Sequence, residues 1–179
     1  MTTVRRETDG RYVYLPEGFD APAETPLDAL LQGRALLVEE GRWIKRAAFR
    51  NPHPEEDPTT PFCDGWGACA IGALYCVTIG IRHGGVTSKG CGSPNCTVCG
   101  PAGIPVWLSD DFNGDPKARQ AYATGHTLLN EAVRRTTHFG FTSVVDYNDH
   151  SQTTHERVLE VFDNAIATVQ REAEAVSNS

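Results

Sequence analysis

The sequence lacks the long apolar run that a membrane-spanning helix requires. It has no stretch of about 18 consecutive apolar residues, and its opening segment MTTVRRET contains no apolar core of the secretory-signal type. These absences predict a cytoplasmic protein that has no membrane partner. Because the cytoplasm is reducing, its six cysteines are more consistent with metal ligands or buried thiols than with disulfides.

The sequence also lacks an excess of positive charge. It has 16 Lys and Arg residues against 23 Asp and Glu residues, and its formal net charge is −7. An acidic surface repels phosphate, so this balance disfavours a nucleic acid as the partner. The one basic cluster, formed by Arg42, Lys45, Arg46 and Arg50, is predicted to be a solvated edge.

The common catalytic motifs are missing as well. The chain contains no P-loop, no G-x-G-x-x-G after a strand, no H-E-x-x-H and no G-x-S-x-G, which favours a protein that is not an enzyme. Two enzymatic alternatives stay open. Cys63, just before a predicted helix, would be a nucleophile if a histidine lay beside it, and the polar cluster from Asp146 to His155 would suit acid–base chemistry. We favour turn and capping roles for that cluster.

The sequence does contain a segment rich in cysteine, glycine and proline. Residues 83–105 hold six glycines, three prolines and the cysteines Cys91, Cys96 and Cys99, spaced C-x4-C-x2-C. A loop of this length inside a compact domain needs something to hold it. Three converging thiolates suit a zinc ion, which takes four ligands in a structural site. We therefore predict a loop that is pinned by structural zinc.

The fourth zinc ligand has to lie upstream or be a histidine, because no cysteine follows Cys99. His83 is the nearest candidate, and Cys63 and Cys76 are the alternatives. The spacing also matches part of a plant-type iron–sulfur motif, whose downstream cysteine is absent here. A loop of free thiols or a disulfide without metal is the remaining possibility. Cys69 and Cys76 are predicted to fill the core as small hydrophobes.

Hydrophobic periodicity predicts a mainly α-helical domain of about four helices with a few short strands. The first helix begins after Thr25, which has the capping-box spacing to Asp28, and stops at Gly41. Its predicted apolar stripe consists of Leu27, Leu30, Leu31, Arg34, Leu37 and Val38.

Five further segments carry predictions. Residues 66–81 form a buried helix or, as the competing interpretation, a short buried strand. Residues 115–137 form a helix, and Thr153 starts the last one. We expect a strand over residues 11–15 and extended chain over residues 139–147.

The predicted domain organisation is simple. Residues 1–24 are an extended N-terminal segment with a frayed beginning, and residues 25–173 are a single mainly helical domain that contains the inserted Cys loop 83–105. Residues 174–179 are a disordered tail.

Five short blocks of sequence occur in a telling order: GRW (41–43), CAIGAL (69–74), DYND (146–149), THERVL (154–159) and FDNAI (162–166). Together they resemble a small family of uncharacterised proteins from actinobacteria and their phages. The pattern of that family is Gly-x-Trp, Trp-Cys-x-x-Gly-Ala-Leu, Trp-Asn-Asp and Thr-x-x-Glu-Val-Leu. The resemblance implies a mainly helical domain in a bacterial host cell and implies no reaction.

This chain departs from the family pattern at three places. Ala68 and Tyr147 stand where the family usually has Trp, and the loop from Cys91 to Cys99 looks like an insertion that most relatives lack. The resemblance therefore gives no support to the zinc site.

These observations lead to one functional hypothesis and one alternative. The first is a non-enzymatic accessory protein, encoded by a phage or an actinobacterium, that binds a host or phage protein and carries structural zinc at Cys91, Cys96, Cys99 and His83. The alternative is an enzyme that depends on a cysteine or on the Asp/His cluster.

Overall fold

The computed structural model describes residues 3–6, 12–15, 18–19, 21–39, 41–46, 49–50, 66–79, 81–83, 116–136 and 140–178. Within these residues the fold is mainly helical, as predicted, with five helices rather than about four. The helices are α1 (Pro26–Val38), α2 (Ala70–Thr78), α3 (Pro116–Thr136), α4 (Val144–Asp149) and α5 (His155–Ser177). The strands are β1 (Thr3–Arg6), β2 (Tyr12–Leu15), β3 (Phe49–Arg50), β4 (Gly67–Ala68) and β5 (Ile81–His83).

The strands form two small antiparallel sheets. One sheet has the order β1-β2-β5 and the other pairs β3 with β4. The predicted strand near residue 12 is confirmed as β2, whereas Thr3–Arg6, expected to be frayed, pairs with it as β1. His83 lies at the end of β5 in register with Tyr12.

Helix α2 is the centre of the core. All its residues are buried, and α1 and α3 both pack against it. The helical interpretation of this apolar run is thus confirmed for Ala70–Thr78, whereas Trp66–Cys69 before it is not helical and Ile81 after it lies in β5. Burial on every side explains why hydrophobic periodicity alone does not separate helix from strand here.

Two glycines let the neighbouring helices approach α2 closely at Leu74. A Cβ on Gly125 of α3 would lie 3.1 Å from Leu74 Cδ2. A Cβ on Gly33 of α1 would lie 3.2 Å from Phe162 Cε1 and 3.5 Å from the Leu74 backbone. Both Leu74 and Phe162 are fully buried, so these positions have little room for a larger side chain.

The start of α1 matches the prediction. The Thr25 hydroxyl accepts a hydrogen bond from Asp28 N at 3.1 Å and donates one to Asp28 Oδ2 at 2.6 Å. This reciprocal arrangement uses one of the backbone donors that a helix start leaves free. Past the end of the helix, Gly41 has a φ of +82°, a conformation that glycine adopts without steric cost.

The prediction for residues 139–147 is wrong where α4 begins. Ser143 caps this helix by accepting a hydrogen bond from Val145 N at 3.1 Å, and Asn130 Oδ1 of α3 accepts one from Val144 N at 2.8 Å. The β-branched pair Val144–Val145 favours a strand by propensity. The cap and the side chain from α3 override that preference.

The last helix begins one residue later than predicted. Its N-cap is Thr154, whose hydroxyl accepts a hydrogen bond from Arg157 N at 3.4 Å. Thr153 is buried instead and donates its hydroxyl proton to the Tyr147 carbonyl oxygen at 2.6 Å. The helix continues to Ser177, past residue 173, where the sequence predicts the ordered domain to end. None of the helices in the described part of the chain has the length and hydropathy needed to cross a bilayer.

Candidate functional site

Three segments that are far apart in the sequence meet at the side chain of Asn148. The amide oxygen of Asn148 accepts hydrogen bonds from Trp43 Nε1 at 2.8 Å and from Ala70 N at 3.2 Å. Its amide nitrogen donates to the Ile44 carbonyl oxygen at 3.1 Å and to Asp149 Oδ1 at 2.9 Å. We call these five residues the Asn148 junction. It joins the segment after α1, the start of α2 and the end of α4.

The elements around the junction fix its geometry. The segment after α1 runs beside β4, since Ala68 N donates to the Arg42 carbonyl oxygen at 2.7 Å and Ile44 N donates to the Ala68 carbonyl oxygen at 3.1 Å. These two hydrogen bonds place Trp43 next to α4. Asn148 is 2% exposed, and an amide has two donor hydrogens and an oxygen that accepts two bonds. All of this capacity is used inside the protein, so the junction holds structure together and offers Asn148 to no ligand.

Lys45 ties the same segment to the turn between α4 and α5. Its ammonium nitrogen donates to the carbonyl oxygens of His150 and Thr153, each at 2.7 Å, and lies 5.1 Å from the centroid of the Trp43 ring. Cations are favourable near the carbonyl end of a helix. The predicted solvated role of the basic cluster is therefore wrong for Lys45.

Arg42 and Arg46 also have specific partners. The guanidinium group of Arg42 pairs with Glu39 at 2.9 Å and lies 4.7 Å from the centroid of the Trp66 ring. Arg46 has a φ of +62°, and its backbone N–H donates to Asp149 Oδ1 at 2.7 Å. A carboxylate that accepts this bond supports a backbone conformation that side chains other than glycine rarely adopt. Because Arg42 contacts Glu39 and the Trp66 ring, the prediction that the basic cluster is a solvated edge is wrong for Arg42 as well.

His155 contacts the Asn148 junction through its ring. The imidazole stacks on the Trp43 indole with centroids 5.9 Å apart and planes 6° apart, and its Nε2–H donates to the Leu37 carbonyl oxygen near the end of α1. Asp146, by contrast, is exposed in the first turn of α4. Among the described residues, no three His, Cys, Asp or Glu side chains gather as a metal site would require.

The two described cysteines are packed in the core, as predicted. Both Cys69 and Cys76 are buried free thiols. Cys69 caps α2 by accepting a hydrogen bond from Gly72 N at 3.3 Å, and burial raises its pKa to about 11. Burial also raises the pKa of Cys76. Because the thiolate is the nucleophile, neither side chain is suited to nucleophilic catalysis near neutral pH.

The predicted zinc ligands fall mainly outside the described residues. Cys91, Cys96 and Cys99 lie outside them, as does the alternative ligand Cys63. His83, the first residue of the predicted loop, is the last residue of β5. The other alternative, Cys76, is fully enclosed by the core.

The outer face of α1 is more exposed than the sequence predicts. Leu31 is 43% exposed and Val38 is 52% exposed, and Ala35 between them is also exposed. The single apolar stripe predicted for this helix is therefore wrong, because Leu30 and Leu37 are buried while Leu31 and Val38 face outward. We call Leu31, Ala35 and Val38 the α1 stripe. Their spacing of four and three residues places them on one helix face.

A half-buried histidine on α3 makes stability depend on pH. His126 lies beside the buried Tyr122, with ring centroids 6.1 Å apart, and burial lowers the pKa of His126. The unfolded chain then binds the proton more readily, so stability is lost as the pH falls below the usual histidine pKa of about 6.5. We expect His126→Gln to reduce the loss of unfolding free energy between about pH 7.5 and about pH 5. Urea unfolding at both pH values measures this, and equal losses in the variant and the natural protein would contradict it.

Comparison with other proteins places the chain in a family. No curated protein and no solved structure matches it significantly. The model of a family of unknown function, DUF6197, matches residues 21–168. This span contains α1 to α4 and most of α5, and with them the whole Asn148 junction. The protein therefore belongs to the DUF6197 family of unknown function.

Proposed function

We propose that this protein is a non-enzymatic accessory protein that binds another protein through the α1 stripe. The observation that carries the proposal is the exposure of Leu31 and Val38 on a helix whose opposite face is buried in the core. Large exposed apolar side chains on one helix face are typical of sites where proteins bind. The His155 ring, which stacks on Trp43 of the junction, donates a hydrogen bond to the Leu37 carbonyl oxygen and so ties the end of α1 to the start of α5.

The two described thiols and the Asn148 amide are poorly suited to catalysis. The thiols of Cys69 and Cys76 are buried and have raised pKa values, and the amide of Asn148 is saturated by internal hydrogen bonds. These three side chains therefore offer neither a nucleophile nor a free amide, and Cys63, the nucleophile of the enzymatic alternative, lies outside the described residues.

The proposal also includes the source of the protein and a bound zinc ion. The resemblance in blocks 41–43, 69–74 and 146–149 supports a source in actinobacteria or their phages, and the partner would then be a host or phage protein. The C-x4-C-x2-C spacing supports a zinc ion held by Cys91, Cys96, Cys99 and His83, which would give the loop a fixed shape. Both the actinobacterial or phage origin and the zinc site are consistent with a protein that acts in the bacterial cytoplasm.

Partner capture with matched variants tests the binding surface. We expect the natural protein, used as bait in an actinobacterial lysate, to retain a partner that the double variant Leu31→Lys, Val38→Lys loses at least tenfold. A buried cation on an apolar contact is costly, and apolar residues at the centre of an interface carry most of its energy.

The control is Val176→Lys, which makes the same change at a side chain that is 76% exposed on α5. It should retain the partner, and all three proteins should have the same melting temperature, since the changed side chains face outward. Equal capture by the double variant, or equal loss with Val176→Lys, would contradict a binding surface on α1.

A further inference from the structure

We draw no further inference here: the strongest candidate, the exposed end of α5 from which the Val176 side chain projects, carries nothing because nothing in the structure shows what covers it.

Discussion

Replacing Asn148 with Ala is expected to lower the free energy of unfolding by about 3 kcal/mol or more. The change removes the partner of three groups at once: the Trp43 indole N–H, the Ala70 backbone N–H and the Ile44 carbonyl oxygen. A buried polar group left without a partner costs about 1–3 kcal/mol, and the smaller side chain also leaves a space in a site that is 2% exposed. For a domain of this size the loss corresponds to a fall in melting temperature of roughly 6–12 °C.

Urea unfolding followed by circular dichroism measures this loss, and the chain offers a matched control. Asn164 lies half-buried on α5, and its backbone carbonyl accepts a hydrogen bond from Thr168. Asn164→Ala makes the same chemical change, keeps that main-chain bond and should cost less than about 1 kcal/mol. If the two substitutions cost the same, the junction contributes no more than an ordinary surface amide.

Removing zinc is the second change for which we expect a large effect. The proposed site at Cys91, Cys96, Cys99 and His83 would supply several kcal/mol to the folding of its segment, because metal binding and folding are coupled. We expect about one zinc ion per chain in protein purified without chelator. Cys96→Ser should release it and lower the melting temperature, since a hydroxyl is a much poorer zinc ligand than a thiolate.

Elemental analysis together with thermal melts, with and without a chelator, measures both quantities. Cys69→Ser is the control, because that thiol caps α2 by accepting a hydrogen bond from Gly72 N, a role that serine fills well. The Cys69→Ser variant should therefore keep its zinc. His83→Ala should weaken binding, whereas Cys63→Ser should not. Protein without zinc under reducing conditions, or a Cys96→Ser variant with unchanged zinc and melting temperature, would contradict the proposed site.

Local determinants in the sequence predict α1 with its cap and α3, although they did not reveal α4, which Ser143 caps. Thr25 and Asp28 lie three residues apart and form the cap they predict. The amphipathic pattern of residues 115–137 predicts α3 almost to its ends. These features depend on neighbours within one helical turn, and such neighbours can be read directly from the chain.

Contacts between segments that are distant in the sequence could not be predicted in the same way. The bond from Trp43 to Asn148 spans 105 residues, and the bond from Ala70 to Asn148 spans 78. Turn and capping preferences explain a polar cluster before α5 without any distant partner. They therefore gave no reason to bring Trp43 or the start of α2 to the same place.

The α1 stripe shows a second limit of pattern analysis. Leucine or valine at positions 30, 31, 37 and 38 gives the helix two adjacent apolar faces, and periodicity does not tell which one the core covers. The structure buries Leu30 and Leu37 against α2 and its neighbours and leaves Leu31 and Val38 exposed. The sequence signal for this exposed face is the width of the apolar surface of α1, which is broader than packing against one core requires.

The central structural claim is that Asn148 couples the segment after α1 to α4, and a double-mutant cycle tests it most directly. Trp43→Phe removes the indole donor while it keeps an aromatic ring beside His155, and Asn148→Ala removes the acceptor. Unfolding free energies of the natural protein, the two single variants and the double variant give the coupling energy. We predict a coupling of about 1–2 kcal/mol, in the range measured for residues in direct contact. Additive losses, with a coupling near zero, would contradict the claim.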